Sequence, residues 1–145
     1  KHLKHLSVSV FHHQINGCLY PLKKIIESNS PFSMLLDEST SLSRRSCLIV
    51  NIRTMIEGKS FTFHLDLIEL QSSFACGIIH ALLTSLKHSG MTNEYLSIHW
   101  LGLATDGCST MLSRKGGLTA LLLAEYPRLI VWHCMAHRLE LAVNY

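Results

Sequence analysis

The stretch that decides the fold is Leu48-Ile49-Val50-Asn51-Ile52-Arg53-Thr54-Met55-Ile56, then Glu57-Gly58-Lys59, then Phe61-Thr62-Phe63-His64-Leu65-Asp66-Leu67. Leu48, Val50, Ile52 and Ile56 recur at even positions around polar Asn51 and Arg53. In the second run Phe61, Phe63, Leu65 and Leu67 alternate with Thr62, His64 and Asp66. A period of two is the pattern of a strand with one buried face. Glu57-Gly58-Lys59 supplies a hairpin turn between the runs. Just upstream, Phe32 to Leu36 is a short apolar run that stops at Asp37, as a buried central strand would. The three runs together predict an antiparallel meander.

Downstream the period changes. Ala75, Ile78, Ile79, Leu82, Leu83 and Leu86 recur at intervals of three and four, which predicts a helix capped near Ser72-Ser73 and stopped by His88-Ser89-Gly90. Ile98 to Ala104 reads as a buried strand ending at Thr105-Asp106-Gly107. A helix with Leu118, Leu121, Leu122 and Tyr126 follows and breaks at Pro127. Leu129 to Trp132 reads as a third buried strand, and the tail from Cys134, with Met135, Leu139, Ala142 and Val143 on one side, reads as helical. A meander followed by right-handed crossovers gives an α/β fold with a mixed five-stranded sheet flanked by helices. Residues 1–30, where Leu19, Leu22, Ile25 and Ile26 precede the break at Ser28-Asn29-Ser30-Pro31, form a helical lead-in to a core spanning 31–145.

Composition narrows the class. A chain of 145 residues is the size of one domain, burying about 68–70% of its unfolded surface. With 48% hydrophobic and 16% charged residues it is a folding chain rather than a disordered one. Its surface reads as unusually apolar, as expected where a second subunit or more of a longer protein covers it. No run approaches the roughly 18 apolar residues of a membrane span, and no signal peptide is visible. Together with the start at Lys1, this reads as a soluble intracellular segment of a longer chain. Five dispersed cysteines (Cys18, Cys47, Cys76, Cys108, Cys134) without a CxxC pair read as reduced thiols. A net charge of +3, which ten histidines would raise on acidification, permits a polyanionic partner without demonstrating one.

The candidate chemistry lies at strand ends. If the strands ending at Asp37 and Asp106 are parallel neighbours, both carboxylates emerge at the same edge of the sheet, where α/β folds place their sites. Paired carboxylates suit Mg²⁺ or Mn²⁺, and two-metal phosphodiester chemistry needs acids that bridge cations about 3.5–4 Å apart. Two aspartates make an incomplete cage, and the alternative reading of each is local: Asp-Glu-Ser-Thr and Asp-Gly are ordinary cap and turn chemistry. Glu38, Glu125 and Glu140 are the available third acids. Glu38 falls on the opposite face from Asp37 if the strand continues, Glu125 lies late in a helix, and Glu140 reads as a solvated helix position. His133, Cys134 and His137 form a compact cluster, but no second Cys/His pair completes a tetrahedral zinc site, so zinc is not expected. Cys108 reads as a small residue at a helix start rather than a nucleophile.

Three segments taken in order resemble the motifs of hAT-family transposases. They are Leu36-Asp37-Glu38-Ser39-Thr40, Ala104-Thr105-Asp106-Gly107-Cys108-Ser109-Thr110-Met111, and His133-Cys134-Met135-Ala136-His137-Arg138-Leu139-Glu140-Leu141-Ala142-Val143. The resemblance runs from about Ser30 to the C-terminus, the third motif being the most specific. It implies a ribonuclease H-like fold, with Asp37 and Asp106 as the first two members of an Asp-Asp-Glu triad served by Mg²⁺ or Mn²⁺, and Cys134 and His137 as a CxxH motif associated with DNA. The family's catalytic Glu follows a large helical insertion beyond this motif, so Glu140 is not promoted to that role and the core reads as truncated and catalytically incomplete.

The family's BED-type finger and dimerisation region are not seen here. The pattern is similar to that of domesticated vertebrate members, which implies a nuclear protein acting through DNA or protein partners. A fragment of an active transposase and a segment of a SUMO ligase are the alternatives, the latter without a RING-like Cys/His array.

Overall fold

The computed structural model describes residues 20–40, 44–106, 109–113 and 116–143, and within these the backbone alone of Ser109, Ala136, His137 and Leu141. Expectations for residues 1–19, Cys18 and Cys108 lie outside this set. The elements are a helix α1 over 20–28, strands β1 (Phe32–Thr40), β2 (Ser46–Ile56) and β3 (Lys59–Glu69), helices α2 (Ala75–His88) and α3 (Asn93–His99), strand β4 (Trp100–Thr105), helices α4 (Ser109–Leu112) and α5 (Leu118–Glu125), strand β5 (Ile130–His133) and helix α6 (Met135–Val143).

The strands form one sheet in the order β3-β2-β1-β4-β5. β2 runs antiparallel to both β1 and β3, whereas β4 is parallel to β1 and β5 to β4. This is the α/β, ribonuclease H-like arrangement that the sequence predicts. The hairpin closes as expected: Ile56 pairs with Lys59 across Glu57 (φ 51°) and Gly58 (φ 75°). Two successive positive φ values make the tight turn whose twist matches paired strands.

Register shows which residues share a face. Met34 lies opposite Ile52 and Leu103, and Leu36 opposite Val50. These buried side chains form one core with Leu22 and Ile25 of α1, Ile78, Leu82 and Leu86 of α2, and Leu118 and Leu122 of α5. The alternate residues make the other face: Leu35 opposite Asn51 and Ala104, Ala104 opposite Trp132, and Gly102 opposite Ile130. A shallow depression of about 360 Å³ lies there, bounded by Leu35, Arg53, Ile130 and Trp132.

This open face corrects the expectation that the central and last strands are buried on both sides. Ile130 is 67% and Trp132 57% exposed, because the core, with the helix residues that complete it, lies on the opposite face. The apolar side of α6 is likewise uncovered, with Met135, Leu139 and Val143 exposed.

Three local readings also change. Ile98 is not in a strand: α3 occupies Asn93–His99, its first turn capped by the Thr92 side chain accepting from Tyr95 N at 3.2 Å, and β4 begins only at Trp100. The α2 N-cap is Phe74 without a side-chain cap, Ser72 Oγ instead accepting from Phe74 N. In β3 the pairing with β2 shifts between Val50 and Asn51, so Asp66 opposes Val50 and His64 opposes Asn51. That bulge inverts the alternation. Phe63, Leu65 and Ile68 pack on the core, Leu67 turns outward, and Asp66 accepts a hydrogen bond from Ser85 Oγ of α2.

Candidate functional site

Both sequence-derived aspartates lie at the carboxyl end of the parallel strands. Ser33 pairs with Gly102, Met34 with Leu103 and Leu35 with Ala104. The ladder ends at Leu35 and Ala104; the same offset extended two residues past it would bring Asp37 level with Asp106. Alternation assigns Asp37 to the open face, since it follows Ser33 and Leu35, and it is exposed. Adjacent strands lie about 4.7–4.9 Å apart, so two carboxylates opposed in this way can share one divalent cation.

Asp37 does not terminate its strand. β1 continues to Thr40, with Asp37 opposite Ile49 and Thr40 opposite Ser46. The parallel ladder with β4 stops at Leu35 while the antiparallel ladder with β2 carries the strand onward. Asp37 therefore sits on a paired backbone rather than on a loop.

Asp106 is half-buried and directly follows β4. Its backbone is braced on both sides. Thr105 is fully buried, its Oγ1 donates to Asp106 O at 3.1 Å, and its own carbonyl accepts from Cys134 N at 2.8 Å. β4 and β5 pair through Thr105 and His133; one step further, Asp106 falls opposite Cys134. Cys134 is thus level with Asp106 at the end of the neighbouring strand.

The other candidates disperse. Glu38 pairs with Leu48 and is half-buried on the face opposite Asp37. Glu125 is exposed at the end of α5, and Glu140 is exposed in α6. Cys134 is a half-buried thiol; the side chain of His137 lies outside the described residues, and with it the CxxH pairing. Neighbouring His133 keeps Nε2 buried without a hydrogen-bonding partner. No group of three or more His, Cys, Asp or Glu side chains converges among the described residues. The donors fit a hard cation in kind, as carboxylate oxygens, but two of them fall short of a full ligand set.

Sequence reasoning found the two aspartates and left open whether the Cys134 cluster lies near them; it missed Thr105, which bonds to Asp106 O and accepts from Cys134 N. It also passed over Arg44-Arg45, which flanks the start of β2 at the same end of the sheet. No family model matches the chain. No helix among the described residues is long and apolar enough to cross a membrane.

Proposed function

We propose that this chain is a transposase-derived, ribonuclease H-like domain of the hAT type, catalytically incomplete, that acts as a nucleic-acid-associated module in a nuclear setting. The observation that supports this reading is the register of β1 and β4, whose continuation sets Asp37 opposite Asp106 at the carboxyl end of the sheet. Those two carboxylates would hold Mg²⁺ or Mn²⁺, which when bound would supply charge neutralisation at a phosphodiester. The protein's part is positional: β1, paired beyond Asp37, and the Thr105 brace under Asp106 fix both acids without substrate.

Calorimetric titration of Mn²⁺ at low salt tests this reading. The native chain is expected to bind, and the Asp37→Asn/Asp106→Asn variant, folded by circular dichroism, to lose binding. Equal binding by both, or none by the folded native chain, would reject the paired-acid site.

A further inference from the structure

We propose that a groove at the β2–β3 end of the sheet, formed by Arg44, Arg45, Ser72 and Ser73 and followed in the chain by Phe74, binds the phosphate backbone and one base of single-stranded nucleic acid. The proposal rests on the reading above that this end of the sheet handles a phosphodiester. The groove has a volume of about 540 Å³ and is polar, with Gln71 and Glu69 completing its lining. Its place in the fold follows from register: β2 starts at Ser46 opposite Thr40, and β3 ends at Glu69 opposite Cys47. It therefore opens at the end of the sheet where β1 finishes, three residues beyond Asp37 on that strand.

Its walls are fixed by the fold. Leu70 N donates to Ser46 O at 2.8 Å, closing the β2–β3 end. Arg45 Nη1 lies 2.6 Å from Glu69 Oε1, which holds that guanidinium across the groove, and exposed Arg44 adds a second cation. Two cations face one carboxylate, and the first turn of α2, which begins just beyond, carries no acid. Arginine forks match phosphate oxygens, and serine hydroxyls supplement them.

Phe74, the residue after Ser73, is 78% exposed. A large exposed ring on the residue that follows the groove wall, its backbone N donating to Ser72 Oγ, points to a ligand with both a phosphate and a flat apolar face. A nucleotide strand has both, and base-on-aromatic stacking tolerates any sequence.

Fluorescence anisotropy with a labelled single-stranded oligothymidylate, over a range of salt, tests the groove in the full chain. Arg44→Ala/Arg45→Ala is expected to weaken binding about tenfold or more and to lower the slope of log affinity against log salt by about 1.4, the share of two phosphates. Arg44→Lys/Arg45→Lys should restore most of that slope. Phe74→Ala should weaken binding by about five- to a hundredfold with the slope unchanged.

Native-like binding and slope in the folded arginine-to-alanine variant overturn the proposal. So does no oligonucleotide binding by the native chain, or a loss confined to Phe74→Ala without salt dependence, which would mark a protein-docking ring instead. Arginine-dependent binding in a chain that takes no Mn²⁺ would sink the paired-acid site and leave the groove standing. Arginine-independent binding in a chain that takes Mn²⁺ would do the reverse.

Discussion

Tyr95 joins three parts of the molecule through one side chain. Its hydroxyl donates to Ile25 O at 3.1 Å and more weakly to Ser30 O at 3.4 Å, and its ring stacks on Phe32 and lies 4.5 Å from that of His99. Burial pushes its phenol up to about 12, above the ordinary value of roughly 10. The folded state therefore favours the protonated form. The contribution is fully present below pH ~10 and is lost as pH rises through about 12. Tyr95→Phe should cost about 0.5–1.5 kcal/mol at neutral pH and flatten the alkaline limb of a urea-denaturation series. Tyr126, also pushed up to about 12 chiefly by its burial, will keep part of that limb in the variant. An unchanged pH profile would show that the Tyr95 hydroxyl contributes nothing to the tie between α1 and α3. At this same scale the two aspartates were legible in the sequence because each ends an apolar run. Their opposition was not, since the pairing of parallel strands leaves no mark in either strand alone.

Among the elements, those with an uninterrupted period were readable and those with a defect were not. α2 announced itself through Ala75, Ile78, Leu82 and Leu86, all buried, and its stop was also written locally. Gly90 has φ 88°, Gly90 N donates to Lys87 O and Met91 N to Leu86 O, both at 3.0 Å. A Cβ at Gly90 would meet only Ile26 Cδ1, at an ordinary 3.7 Å. Gly90→Ala should therefore cost only the left-handed backbone penalty, about 1–2 kcal/mol in chemical denaturation. A loss far above that would indicate a steric conflict that the geometry does not contain. α3 escaped because Ile98 runs into Trp100, Leu101 and Leu103 and extends their apolar pattern backward, although Thr92 and Glu94 are proper helix-start residues. The bulge in β3 escaped because the sequence alternates without a break from Phe61 to Leu67. The inversion comes from pairing with β2 and from Asp66 reaching Ser85, neither of which is local.

For the molecule as a whole, burial among the described residues is one-sided. The sheet has a complete core on one face and an open depression on the other, in keeping with the apolar surplus of the composition. The two tryptophans report the two sides: Trp100 is 1% exposed and donates through Nε1 to Gly102 O, whereas Trp132 is 57% exposed. Acrylamide should quench one emission component readily and the other poorly, and Trp132→Phe should remove the quenchable, red-shifted one. Equal protection of both would mean that the open face is covered in solution. The uncovered side leads, at its carboxyl end, to Asp37 and Asp106, so the functional reading depends on those two strand ends being assembled as one surface.

The most direct test of that claim is paramagnetic broadening by Mn²⁺ of the backbone amide resonances of the native chain at low salt. If the acids converge, the amides of Asp37, Glu38, Thr105 and Asp106 broaden first and together, at the lowest metal ratio, and all are spared in the Asp37→Asn/Asp106→Asn variant. Broadening that reaches only one of the two strand ends, or that centres on histidines such as His88, would contradict the account.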